Sequence, residues 1–273
     1  MAATAIALCD FYTATKTIFD DTDQIYTLNH ELYSKPYPPE TQQKLSSNEA
    51  ELAKRAELAS NFSDLAASFT ALTKSTASTD TGASAAKLGT AAAALASVTA
   101  SSGEQTALKI AVQMLVTALQ ERKEREAAKA MDAAVKALRD LFDKEQDIWN
   151  DRELLYSGIA SNLATSLVDA SATDNTAVLK IALDPFGLAP SSVPSSLPPD
   201  MSARLAVLAK AQIQTRKSAM DASFQKASSD MSKSLHTMST RVDAVANEKP
   251  MDLRTTPLTV ASVEEWASQY IPK

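Results

Sequence analysis

Apolar residues recur at seven-residue spacing through the first 33 positions of the chain. Three sets of residues follow this seven-residue spacing. Two are apolar or aromatic, Phe11, Ile18, Ile25 and Leu32 and then Tyr12, Phe19, Tyr26 and Tyr33, and the third is Leu8, Thr15, Thr22 and Asn29. A seven-residue period keeps one face of a helix toward a neighbouring helix over many turns. The pattern therefore predicts a first long helix over 3–33.

A cluster of prolines at Pro36, Pro38 and Pro39 follows that helix. Proline cannot sit in a helix interior, so the helix ends before the cluster. Apolar residues then return at helical spacing, at Leu45, Leu52, Ala59, Phe62, Leu65, Phe69 and Leu72. We predict a second helix over 40–74, which the short connection makes antiparallel to the first.

The third apolar seam is the longest in the chain. It opens with Leu108, Val112, Leu115 and Leu119 and resumes, after a charged stretch at 120–126, with Met131, Val135, Leu138, Phe142, Glu145, Trp149, Arg152, Tyr156, Ile159 and Leu163. We interpret it as a helix over 104–170, about 65 residues and, if it is unbroken, about 100 Å long. A softer seam of Leu, Met and Ala predicts a fourth long helix over 200–247.

The stretches between and after the long helices differ in composition. Small residues fill 75–103, which we interpret as a tip subregion with a short helix at 84–100, and prolines mark an extended loop at 184–199. Further short helices are predicted at 175–183 and at 262–271, where Ser262 and Glu265 have the spacing of a capping box in the tail 250–273. The fold class is therefore all-α: a single elongated, antiparallel, coiled-coil-like helical bundle over 1–273.

Composition narrows the function classes. Only five glycines occur, which disfavours the glycine-rich loops that hold nucleotide phosphates. The formal net charge is −6 and no basic block is present, so we expect no nucleic-acid partner. Cys9 is the single cysteine, and no stretch has the length and apolar character of an ordinary transmembrane helix.

Chemistry-bearing residues are few. His30 and His236 are the only histidines and neither follows a glutamate at three-residue spacing, so we expect no metal, no cofactor and no catalytic residue of a familiar type. Four polar residues fall where the seams expect apolar ones: Asn29, Glu145, Arg152 and Gln212. We interpret them as a polar core whose members satisfy one another and fix helix register. The alternative is a polar pocket for a ligand or a reaction.

Two regions are candidates for contact with a partner or a membrane. The stretch 89–103 carries no charge, and the large apolar residues in and next to it are Leu88, Leu95 and Val98. Trp266 and Tyr270 share one face of the predicted last helix with Val263. We expect that face to dock back on the bundle; the alternative is an anchor for a partner.

Three functions are compatible with these features. The first is a non-enzymatic binding or structural protein that acts through protein–protein contacts or self-association. The second is a membrane-acting protein, similar in shape to a component of a pore-forming toxin, that uses 89–103. The third is a bundle enzyme or small-ligand binder built around Glu145 and Arg152. One interpretation of the compartment is a periplasmic or secreted protein whose signal peptide has been removed.

Overall fold

A computed structural model describes residues 2–33, 52–64, 66, 103–120, 124–170, 199–247 and 260–271. Within these ranges the backbone is helical apart from short terminal turns and Val260, and no strand occurs among them. The predicted all-α class is therefore confirmed. The predicted short helices at 84–100 and 175–183 lie outside the described residues, as does the loop at 184–199.

Six helices make up the described part of the chain. They are α1 (Ala2–Tyr33), α2 (52–64), α3 (Gly103–Gln120), α4 (Glu124–Asp169), α5 (Pro199–Ala246) and α6 (Ala261–Ala267). The bounds of α1 and α5 agree with the predicted 3–33 and 200–247 to within one residue. The described α2 lies within the predicted 40–74, and the rest of that prediction falls outside the described residues.

In the structure the predicted helix over 104–170 is divided into two helices. Gln120 ends α3, Glu124 begins α4, and the two helices pack against each other, which successive parts of one straight rod do not do. Two helices separated by three residues can pack along each other only as antiparallel neighbours. Small buried residues line both helices and allow a close approach: Ala111 and Ala118 on α3, and Ala127, Ala130 and Ala134 on α4.

Helices α4 and α5 form a long antiparallel pair. Their polar contacts run in opposite directions along the two helices: Lys136 to Asp243 at 2.8 Å, Arg139 to Ser239 at 3.2 Å, Gln146 to Ser228 at 3.1 Å, and Asp169 to Lys210. The contacts extend over 33 residues of α4, which corresponds to about 50 Å of helix. This pair forms the long axis of the bundle.

The first half of α1 lies in the centre of the bundle. Thr4 meets Ser234 at 3.3 Å while Phe11 meets Phe224, so α1 runs antiparallel to α5. On another side, Cys9 lies beside Ser60 and Tyr12 lies near Arg55, which places α2 antiparallel to α1. The side chains of α1 that enter the core include Leu8, Phe11, Tyr12, Thr15 and Ile18.

An aromatic cluster fills the point where these helices meet. We call it the aromatic junction, and its members are Phe11, Tyr12, Phe142, Trp149, Phe224 and Trp266. Phe11 is the hub, since its ring centroid lies 5.3 Å from that of Phe142, 5.7 Å from Phe224 and 5.2 Å from Trp266. Four helices far apart in sequence thus share one set of ring contacts.

The C-terminal segment, defined here as residues 260–271, docks on α1 and α5. Val263, Trp266 and Ala267 are buried, as the predicted docking of this face requires. The capping-box prediction is wrong: Val260 is the N-cap, no side chain caps the helix, and Ser262 instead donates a 2.7 Å hydrogen bond to Asp230 of α5. The helix also ends at Ala267, and 268–271 continue as turns.

Replacing Phe11 with alanine should lower the free energy of unfolding by about 3–5 kcal/mol, because a buried ring with three long-range aromatic neighbours is lost and a cavity remains. Ile6→Ala on the same helix is the matched control, since Ile6 is 50% exposed, and it should change stability by less than about 1 kcal/mol. Urea unfolding followed by circular dichroism measures both. Equal losses in the two variants would show that the junction is not the centre of the core.

Candidate functional site

A buried ion pair joins α2 to α4. The Nε of Arg55 donates to both carboxylate oxygens of Glu145, at 3.0 and 3.1 Å, and its Nη2 donates to Oε1 at 2.6 Å. Arg55 is 6% exposed and Glu145 is 9% exposed. Such a two-pronged, charge-assisted arrangement is what makes a buried pair tolerable in a helical core.

The partner of Glu145 is therefore Arg55, a residue that the predicted polar core did not include. Arg152 lies seven residues further along α4 and is partly exposed, whereas Arg55 approaches Glu145 from the facing helix α2. Tyr12 lies beside this ion pair. Burial raises the pKa of its phenol, and the negative charge of Glu145 raises it further.

The remaining predicted polar-core residues do not gather around this pair. Gln212 lies on the far part of α5 and is partly exposed, and the side chain of Asn29 lies outside what the structure describes. Thr22, in the same register as Asn29, is buried and donates to the carbonyl of Ile18 at 2.6 Å. Thr15 and Thr22, the described polar residues of this register, thus each bond to a backbone carbonyl one turn earlier.

The predicted contact residues fall into two groups. Leu88, Leu95 and Val98 lie outside the described residues, so their proposed contact with a membrane or partner stays a prediction. Trp266 is 1% exposed within the aromatic junction, and Tyr270 is half-buried with its ring 5.5 Å from that of Trp266. Of the helices that the structure describes, none combines the length and apolar character needed to cross a membrane.

A second polar cluster, which the sequence did not predict, surrounds Glu153 of α4. We call it the Glu153 cluster, and it comprises Asp21 of α1, Glu153 and Tyr156 of α4, Lys217 and Asp221 of α5, and Tyr270 of the C-terminal segment. Glu153 is 2% exposed, and neither of its carboxyl oxygens has a hydrogen-bond partner among the described residues. A buried carboxyl in this condition is costly to ionise.

The electrostatics of Glu153 follow from that geometry. Burial, and secondarily the negative charge of Asp221, raise the pKa of the Glu153 carboxyl to about 7, while Lys217 acts in the opposite direction. Asp221 is well supported, since Ser157 donates to it at 2.5 Å and Lys217 at 2.6 Å. Two neighbouring carboxyls therefore differ in environment, and Glu153 can hold or release a proton near neutral pH.

The phenols of the cluster respond to the same surroundings. Burial raises the pKa of Tyr270 to about 12, and nearby Tyr156, Glu153, Asp21 and Asp221 contribute in that direction. Burial, followed by Asp21 and Glu153, also raises the pKa of Tyr156. Both phenols thus stay protonated and neutral at physiological pH.

A signal for Glu153 was present in the sequence. The seam reaches Trp149 by a step of four, so strict alternation of four and three places its next residue three positions on, at Arg152. A second step of four instead places it at Glu153, and a step of three from there reaches the buried Tyr156. Because an α-helix has 3.6 residues per turn, the buried position along a straight helix is sometimes three and sometimes four residues after the previous one. The buried position is the glutamate.

The described residues contain no group of three or more His, Cys, Asp or Glu side chains placed to hold a metal ion. Comparisons with protein-family models, with curated proteins and with solved structures give no match. The fold and its polar clusters define the class of protein: an all-α helical bundle whose described core contains the ion pair Arg55–Glu145 and the unpaired carboxyl of Glu153.

Replacing Arg55 with methionine should lower the free energy of unfolding by about 3–5 kcal/mol at pH 7, because Glu145 would be left charged and buried. The double variant Arg55→Met, Glu145→Leu should recover most of that loss, since the uncompensated charge is gone. Chemical denaturation of the two variants and the parent measures this. A double variant no more stable than the single one would contradict the described pairing.

Replacing Glu153 with glutamine should stabilise the protein at pH 8 by up to about 3 kcal/mol and have little effect near pH 4, where the parent carboxyl is already neutral. A folded-state pKa above the ordinary 4.5 makes the parent lose stability as pH rises from about 4.5 to about 7 and then level off. Asp151→Asn, an exposed charge change on the same helix, should leave that profile unaltered. Unfolding free energies measured from pH 4 to pH 9 decide between these outcomes.

Proposed function

We propose that this chain is a non-enzymatic helical-bundle binding protein that acts through protein–protein contacts. The observation that carries the proposal is a set of large apolar side chains left exposed on the far part of the α4–α5 pair. They are Leu154 and Leu155 on α4 and Val207 and Leu208 on α5. We call residues 154–169 and 200–218 the distal arm.

The distal arm differs from the rest of the bundle in how it is packed. Up to Tyr156 the seam of α4 is largely buried, but Ile159 and Leu163 beyond it are only half-buried. On α5, Leu205 and Ala209 are buried while the adjacent Val207 and Leu208 are exposed. Two long helices with loosely filled apolar positions offer a surface that an apolar helix face can cover.

The position of the aromatic junction also favours the distal arm as the contact surface. It fixes α1, α4, α5 and the C-terminal segment at one region of the pair, so the distal arm extends from a rigid base. A binding surface on a rigid base loses less entropy when a partner docks than one that must first become ordered. This favours the arm as the contact surface.

Photo-crosslinking tests the proposal. A benzophenone amino acid placed at position 155 or 207, in cells of the source organism, should give a discrete protein adduct, either with a second copy of this chain or with another protein. The matched control positions are the exposed polar residues Asn162 and Gln214 on the same two helices. Adducts should form there at least several-fold less often.

Lysine substitutions complete the test. Leu155→Lys and Val207→Lys should each weaken the contact by about tenfold or more, as expected for apolar residues near an interface centre. Asn162→Lys and Gln214→Lys add the same charge to the same helices and should have little effect. Equal yields at all four positions, or a chain that sediments as a monomer at every concentration and gives no adduct, would contradict the proposal.

A further inference from the structure

Three elements converge on the Glu153 carboxyl. The groups nearest it are Tyr156 from its own helix, Asp221 and Lys217 from α5, and Tyr270 from the C-terminal segment, and Asp21 of α1 lies near the two phenols. Three of the six groups in the cluster are carboxyls and one is a cation. The cluster therefore gains net negative charge when Glu153 loses its proton.

Two donors near Glu153 are already bonded to Asp221. The ammonium of Lys217 donates to Asp221 at 2.6 Å, and the hydroxyl of Ser157 donates to Asp221 at 2.5 Å. Neither carboxyl oxygen of Glu153 has a hydrogen-bond partner in the described part of the chain. An ionised Glu153 therefore gains a hydrogen bond only when water reaches it or a neighbouring side chain rearranges.

The C-terminal segment is the shortest of the elements that reach the cluster. Helices α4 and α5 are held together by polar contacts on both sides of the cluster, from Gln146–Ser228 to Asp169–Lys210. The C-terminal segment instead has one seven-residue helix, followed by turns that bring the half-buried Tyr270 to the cluster. Short terminal elements open more readily than long helices with many contacts.

We propose that the C-terminal segment is a pH-sensitive latch, closed against α1 and α5 while the Glu153 carboxyl carries its proton and released when that proton passes to water. This regulatory device is independent of the proposed partner contact on the distal arm.

The sign of the effect follows from the two protonation states. In the closed latch the pKa of Glu153 is about 7, and in the open, hydrated latch it returns toward the ordinary 4.5. The free energy of opening is therefore largest below about pH 4.5, falls as pH rises to about 7, and is constant above that. Acid closes the latch and neutral to alkaline pH favours opening.

Amide hydrogen exchange of the full chain, read by mass spectrometry on peptides from 260–271, tests the proposal. After correction for the intrinsic exchange rate, protection of this segment should fall at least about tenfold between pH 4.5 and pH 8 in the parent protein. Protection of α4 residues 130–142 should change much less. Glu153→Gln should abolish the pH dependence in 260–271, while the exposed control Asp151→Asn should keep it.

Two further variants keep the test decisive if Glu153→Gln does not fold. Asp221→Asn removes a neighbouring negative charge and should move the midpoint of the transition to lower pH. Lys217→Met removes the opposing cation and should move it to higher pH. Shifts in these opposite directions support the latch. A parent protein without pH-dependent exchange in 260–271, or midpoints that do not move in the two variants, would overturn it.

Discussion

The packing of aromatic rings around Phe11 is the interaction on which the rest of the structure depends. Phe11 of α1 contacts Phe142 of α4, Phe224 of α5 and Trp266 of the C-terminal segment. These residues lie up to 255 positions apart along the chain, so no local preference brings them together. A chain with 5% aromatic residues gains long-range specificity in its core by concentrating large rings at one point, while Ala, Leu and Met fill the remaining contacts.

Buried polar groups around this junction are stabilised in two ways. Hydroxyls such as that of Thr15 donate to a backbone carbonyl in the preceding turn, at 2.7 Å, and the Glu145 carboxylate is held by Arg55. Glu153 has neither kind of stabilisation, since no described residue donates a hydrogen bond to its buried carboxyl oxygens. Because an ionised carboxyl cannot remain in such surroundings, its proton becomes coupled to the packing of the elements that exclude water from it. Stability and proton binding are thereby linked at one position of α4.

The hydrophobic period was sufficient to predict the all-α class and the positions of α1 and α5, because long amphipathic helices impose that period on the sequence. The period could not show that α3 folds back on α4. Each helix has the same period whether the chain continues in one direction from α3 to α4 or reverses its direction between them. Nor could the period assign Arg55 to Glu145, because the partner lies 90 residues away on another helix. Glu153 was missed by a single position, where the choice between steps of three and four depends on helix drift. The hydrophobic period of a single helix can thus be recognised in the sequence, whereas the residues that contact each other between helices cannot.

The central claim is that the C-terminal segment inserts Trp266 into the ring cluster formed by α1 and α5. Nuclear Overhauser contacts measured on a chain with selectively protonated Trp and Phe, in a deuterated background at pH 5, test it most directly. The structure places the Trp266 ring centroid 5.2 Å from that of Phe11 and 5.1 Å from that of Phe224, and therefore predicts cross-peaks between the Trp266 indole and both phenyl rings. A Trp266 indole with no cross-peak to either ring, and with rapid exchange of its N–H with water, would contradict the account.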